Sequence, residues 1–170
     1  FKDIKNYEVQ SVFLNNDVDA LYTYHLPDYL DKNTVFNPFS TNKNIKKESQ
    51  ILIEKTAKFI SEFNQEDSLL VSSISQNSFE NKESFYYELK EYIDRLYKDF
   101  GIVFLPQWLP KQAWYFGGSF NTEVFSSKDD IKFIKKYNIQ ICLDIAHLIM
   151  SANSYGDDWY LWFVALHVQR

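Results

Sequence analysis

Cysteine occurs once in the 170 residues, at Cys142, so no internal disulfide can form and a reducing compartment is the natural reading. Glycine and proline number only 4 each, which excludes a linker, a collagen-like repeat or a low-complexity segment. No apolar run reaches the roughly 18 residues that a membrane span needs, and no signal peptide or lipidation motif is present. The chain therefore reads as soluble and cytoplasmic, with no membrane partner. Cationic clustering is also missing. The net charge is −5, and the nearest basic run, Lys43–Lys47, reads as a solvated helix start. Nucleic acid is disfavoured as a partner, since a phosphate backbone needs a basic patch.

Aromatic residues are what the chain has in abundance, with 15 Phe and 12 Tyr in an aromatic fraction of 18%. They can fill a core or line a ring-binding cleft, and core filling accounts for most of them. The length is one domain's worth, so residues 1–170 read as a single domain. The chain begins at Phe1 without Met and ends abruptly at Arg170, and it reads as an excised part of something longer.

The chain is organised around Ile139–His147, I-Q-I-C-L-D-I-A-H. A short β-branched run after Tyr137-Asn138 reads as a buried strand. It ends in Asp144 and His147, three residues apart. A hard anionic oxygen beside an imidazole nitrogen suits Zn, Mn or Fe. The plain structural alternative is a strand end with a capping Asp and a satisfied His.

The rest of the chain repeats strand, loop and helix. Val9, Val12, Phe13 and Leu14 fit either a short helix or a strand. Ala20–His25 alternates as a strand and stops before Pro27, which cannot continue a ladder. Residues 28–44 are a long polar loop. Ile45–Phe63 has helical spacing. Leu69–Ile74 reads as a strand, and Ser78 or Asn81 caps a helix over Lys82–Phe100 that Gly101 ends. Ile102–Leu105 is the next strand, followed by an aromatic, Gly-rich loop at residues 114–123. Ser127 caps a further helix, with Asp129 and Asp130 in its first turn. Asp157 or Asp158 caps a short aromatic helix, W-Y-L-W-F, and Ala165–Gln169 reads as the start of one more strand.

Successive βα units predict a parallel sheet with helices outside. Four to five units are too few to close an eight-stranded barrel of ~250 residues, so the sheet is open or part of a barrel. His25, His147 and His167 all fall at expected strand ends, beside Asp144 and Gln107. Chemistry in parallel α/β folds gathers at such ends.

The motif C-L-D-I-A-H, residues 142–147, resembles the "LD-x-x-H" strand of the xylose-isomerase-like superfamily, whose members include sugar-phosphate isomerases, epimerases and metal-dependent apurinic endonucleases. Tyr22–Pro27 (Y-T-Y-H-L-P) and Leu166-His167-Val168 resemble two further His-bearing strands of that family. W-Y-F-G-G-S-F-N-T-E resembles a variant associated with sialic-acid-type sugar synthesis. The resemblance implies an α/β fold, a parallel (β/α) barrel of TIM type, incomplete in this chain and part of a longer barrel.

It also implies a divalent metal held by Asp144, His147, His25 and His167, and a metal-dependent isomerase or epimerase that forms an enediolate on a sugar or sugar phosphate. On that reading His147 and Glu123 move protons. Gln107, Trp108, Trp114, Tyr115 and Asn121 contact a small-molecule sugar, and the protein is expected to form a homo-oligomer. The chain departs from the family pattern at Gln107, where a Glu ligand is usual, and in Ser75-Gln76-Asn77, where a His-bearing turn is usual. A non-catalytic barrel that binds a carbohydrate or a protein, and an apurinic endonuclease, are the alternatives.

Overall fold

A computed structural model describes residues 23–62, 68–74, 81–115 and 118–167. Its frame is a parallel sheet of three short strands, β1 (Thr23–His25), β4 (Leu69–Ser72) and β5 (Val103–Pro106), in the order β1-β4-β5. Between β1 and β4 lie a small hairpin, β2 (Tyr29–Asp31) and β3 (Thr34–Val35), and helix α1 (Lys43–Ser61). Helix α2 (Lys82–Phe100) joins β4 to β5. A second hairpin follows, β6 (Gln112–Tyr115) and β7 (Gly118–Asn121). Helices α3 (Lys128–Lys136), α4 (Ile145–Tyr155) and α5 (Trp159–His167) complete the described chain.

The register of the parallel sheet sorts side chains by face. Tyr24, Leu70 and Phe104 share one row, and His25, Val71 and Leu105 share the next. Successive residues alternate faces in a strand. The Leu70 and Phe104 row is fully buried with Ile53, Ala57 and Ile60 of α1 and Leu89, Tyr92 and Leu96 of α2. Most described aromatics belong to this core. Phe85 packs edge-on against Phe39 and Tyr86, and Tyr86 stacks on Phe133 with ring centroids 5.3 Å apart.

The helix ends follow local chemistry. Asn42 and Asn81 cap α1 and α2 by accepting hydrogen bonds from the second and third backbone N–H groups of each helix. Gly101 closes α2 with φ at +68°, a conformation that a Cβ disfavours. Asp158 accepts from the Tyr160 N–H at 2.9 Å and opens α5. Asp157 instead accepts from the indole N–H of Trp162 at 3.1 Å.

Three expectations are corrected. The barrel is the first. The described strands form three separate sheets of three, two and two strands, parallel in one and antiparallel in two. Barrel closure needs every strand to have a partner on both sides, and among the described strands β1 has only β4. The fold is a small α/β protein with open sheets, and the resemblance to the TIM-type superfamily is overturned with it. Second, Ile139–Leu143 forms no full strand. Only Cys142 pairs, in one parallel bridge with Gln107. Third, Ala165 and Leu166 continue α5 rather than opening a strand. The ring of His167 lies over Phe163, four residues earlier, with centroids 4.1 Å apart, and that pair needs helical geometry.

One buried charge ties α2 to α3. Asp130 is fully buried, and its Oδ2 accepts from the N–H groups of Ser126 and Ser127 and from the Ser127 hydroxyl, at 2.7–3.0 Å. Its Oδ1 lies 2.8 Å from Lys82 Nζ at the start of α2. Beside it, Phe125 is buried with φ at +51°, strained for a side chain of that size, and its N–H reaches the Tyr86 hydroxyl at 3.3 Å. Burial, then the nearby Asp130 charge, pushes the Tyr86 phenol well above its usual range. Asp130→Ala strips two backbone N–H groups, one hydroxyl and one ammonium of their acceptor. The expected loss is about 3 kcal/mol of unfolding free energy in urea titrations. A loss below about 0.5 kcal/mol would show that the carboxylate is not the tie between these helices.

Candidate functional site

The carboxyl ends of the parallel strands lie side by side because the ladder is in register. His25 ends β1, Ser73 follows β4, and Gln107 follows β5. Alternation puts all three on the face opposite the helix-packed core. There they form one hydrogen-bonded chain. His25 Nδ1 lies 2.6 Å from the carbonyl of Leu26, and its Nε2 lies 3.1 Å from Gln107 Oε1. The Ser73 hydroxyl donates to the same Oε1 at 3.3 Å. Gln107 also carries the backbone bridge to Cys142, so the edge extends one step further.

Asp144 and His147 stand at that next step. Asp144 is the N-cap of α4 and accepts from the His147 N–H at 3.2 Å. The His147 ring donates from Nδ1 to the Trp108 carbonyl at 3.1 Å, with Asp144 Oδ2 3.4 Å away. This is the capping Asp and satisfied His of the plain structural reading, with one addition. Nδ1 is the donor, so in the neutral ring Nε2 keeps a lone pair, on a side chain 30% exposed. By contrast, both ring nitrogens of His25 are engaged.

The other expected site residues lie in different surroundings. His167 is in the last turn of α5, where Nδ1 donates to the Phe163 carbonyl at 2.9 Å. It lines a mixed cleft of about 360 Å³ with Leu105, Lys135, Gln140, Leu143 and Leu166. Trp108 is fully buried, edge-on to Trp162, so its ring packs within the core. Glu123 and Asn121 are exposed on and after β7, in the second hairpin. The backbone of Trp114 and Tyr115 belongs to β6, and their side chains lie outside the described set. Ser75-Gln76-Asn77, where the chain departs from the family pattern, and the residues before Thr23 are likewise outside it.

The metal-dependent isomerase mechanism is corrected on these positions. Among the described residues no group of three or more His, Cys, Asp and Glu side chains is placed to hold an ion. Asp144 is spent on the helix cap and both nitrogens of His25 on hydrogen bonds. His167 sits at a helix end rather than a strand end. Three protein ligands are the usual minimum for a catalytic metal. With no barrel among the described strands, the metal-dependent isomerase or epimerase is not supported, and neither are the apurinic endonuclease and the degenerate barrel.

Ser73 was missed by the sequence reading. The alternation in L-L-V-S-S-I was its signal, since it puts Ser73 two residues after Val71 on the His25 face. Comparison of the chain with protein-family models, curated proteins and solved structures returns no match.

Cys142 reports on the electrostatics of this edge. Burial, then the neighbouring Asp144 charge, pushes its thiol above the usual range. The thiolate is the reactive form, so alkylation by iodoacetamide at about pH 8 is expected to be slower than that of glutathione. Asp144→Asn removes the carboxylate but keeps a good cap, which lowers the thiol pKa and speeds the reaction. A variant that reacts more slowly than wild type would contradict the assigned cause.

Proposed function

We propose that the carboxyl edge of the parallel sheet binds a small hydroxylated molecule of the sugar type. The observation that carries this is the His25–Gln107–Ser73 chain, which lines up polar side chains from three adjacent strand ends. Ligands of open α/β sheets bind outside the carboxyl ends of the strands. Leu105 lies two residues before Gln107 on the same face and lines the neighbouring cleft of about 360 Å³.

A net charge of −5 favours no nucleic-acid partner, and no helix among the described residues is long and apolar enough to cross a membrane. The single half-buried thiol supports a cytoplasmic setting.

Titration of sugars and polyols into the labelled protein, followed by NMR shifts, tests the proposal. At least one compound is expected to bind with a dissociation constant of about 1 mM or tighter and to shift His25, Ser73 and Gln107. Gln107→Leu is expected to weaken that binding about tenfold, the share of one hydrogen bond of about 1.4 kcal/mol. Shifts confined to other surfaces, or none at about 10 mM ligand, would refute it.

A further inference from the structure

Beyond β5 the parallel sheet has an open edge. The segment Ile139–Leu143 runs beside β5 and is joined to it through Cys142 alone. The Cys142 N–H donates to the Pro106 carbonyl, and the Cys142 carbonyl accepts from the Trp108 N–H, both at 2.9 Å. On either side of a parallel bridge the backbone groups point the other way, so those of Ile141 and Leu143 face away from β5. The N–H and C=O of Ile141 and the N–H of Leu143 meet no partner among the described residues. Unpaired backbone groups along a sheet edge are a template for one more strand.

The same edge lines the cleft of about 360 Å³. Ile141 and Leu143 contribute half-buried side chains to it, and Leu105 adds another from β5. Ile134 and Lys135 join from the end of α3, and Leu166 from the end of α5. Lys135 brings an ammonium, and the lining holds no carboxylate. Aliphatic side chains thus stand beside free backbone donors and acceptors. An aliphatic small molecule leaves those polar groups unmet, whereas an extended chain meets them and fills the cleft with its side chains. Two helix ends share this space with the edge, so it takes a few residues of extended chain. A second copy pairing through the same edge would bring its own α3 and α5 ends against these.

We propose that Ile139–Leu143 is a docking edge for an extended peptide of alternating aliphatic residues that carries one acidic side chain. The peptide backbone exchanges hydrogen bonds with Ile141 and Leu143. Its aliphatic side chains pack on Ile134, Leu143 and Leu166, and its carboxylate meets Lys135. The edge is roughly 13 Å long, the span of about five extended residues. This site adjoins the His25–Gln107–Ser73 chain and does not depend on sugar binding there.

The probes are acetylated and amidated peptides of about five residues that alternate valine or leucine with threonine and carry one aspartate. Added to the full chain, at least one is expected to bind with a dissociation constant of about 1 mM or tighter. It is expected to shift the amide signals of Ile141, Leu143 and Leu166 and to slow hydrogen exchange at the Ile141 N–H. The same peptide, N-methylated on the backbone groups that face the edge, keeps its side chains and loses those donors. It is expected to bind about tenfold more weakly. Lysine in place of the aspartate is expected to weaken binding about threefold. Ile141→Pro removes the N–H on the outer side of the edge, where proline is tolerated, and is expected to weaken binding about tenfold. The N-methylated peptide probes the same pairing with no variant to fold. Equal binding of the N-methylated or the lysine peptide, shifts confined to other surfaces, or no shift at about 10 mM peptide would overturn the inference. So would an Ile141 N–H already protected in the free protein, the result expected if another segment of this chain or a second copy fills the edge. None of these outcomes bears on sugar binding at His25, Ser73 and Gln107, which the sugar and polyol titration tests separately.

Discussion

The parallel ladder β1-β4-β5 is the constraint on which the rest depends. Its register sets His25 opposite Val71 and Leu105, which fixes one face for the core and the other for the polar chain. A slip of one residue in β5 would turn Gln107 into the core and Phe104 out of it, because side chains alternate with a period of two. Phe104 is fully buried among α2 residues, so the core resists that slip. The same packing that stabilises the sheet thus holds Gln107 within reach of His25 and Ser73.

The aromatic richness of the chain serves this core more than any ligand surface. Phe39, Phe85, Tyr86, Tyr92, Phe104 and Phe125 form a connected set of edge-on contacts running from the loop after β3 to the loop before α3. Such pairs each add about 0.5–1.5 kcal/mol beyond the area they bury. Asp130 is the polar counterpart at one end of that set. It is buried with its charge met by Lys82 and its oxygens by Ser126 and Ser127, the condition under which a buried carboxylate is tolerated.

The motif C-L-D-I-A-H shows why a local pattern misleads. Asp followed three residues later by His fits a metal pair, and it also fits an N-cap whose third helical residue is His. The structure uses it as the cap, with Asp144 accepting the His147 N–H. Asp is among the best N-cap residues because its side chain meets a backbone donor that the helix leaves unpaired. Both uses put the same residues in the same order, so spacing cannot choose between them. The choice depends on whether further ligands converge from other elements, and among the described residues none form such a group.

What the chain determined by itself was local. Asn81, Gly101 and Ser127 mark helix ends because capping and left-handed turns depend on neighbouring residues only. The short apolar runs at Leu69–Ser72 and Val103–Pro106 are strands, and His25 and Gln107 stand at strand ends where the pattern placed them. The openness of the sheets, the helical continuation through Ala165 and Leu166, the burial of Trp108 and the joining of Ser73 to Gln107 were decided only in three dimensions. Those features depend on strand partners and packing between residues far apart in sequence, and a pattern read along the chain carries no distance between its elements.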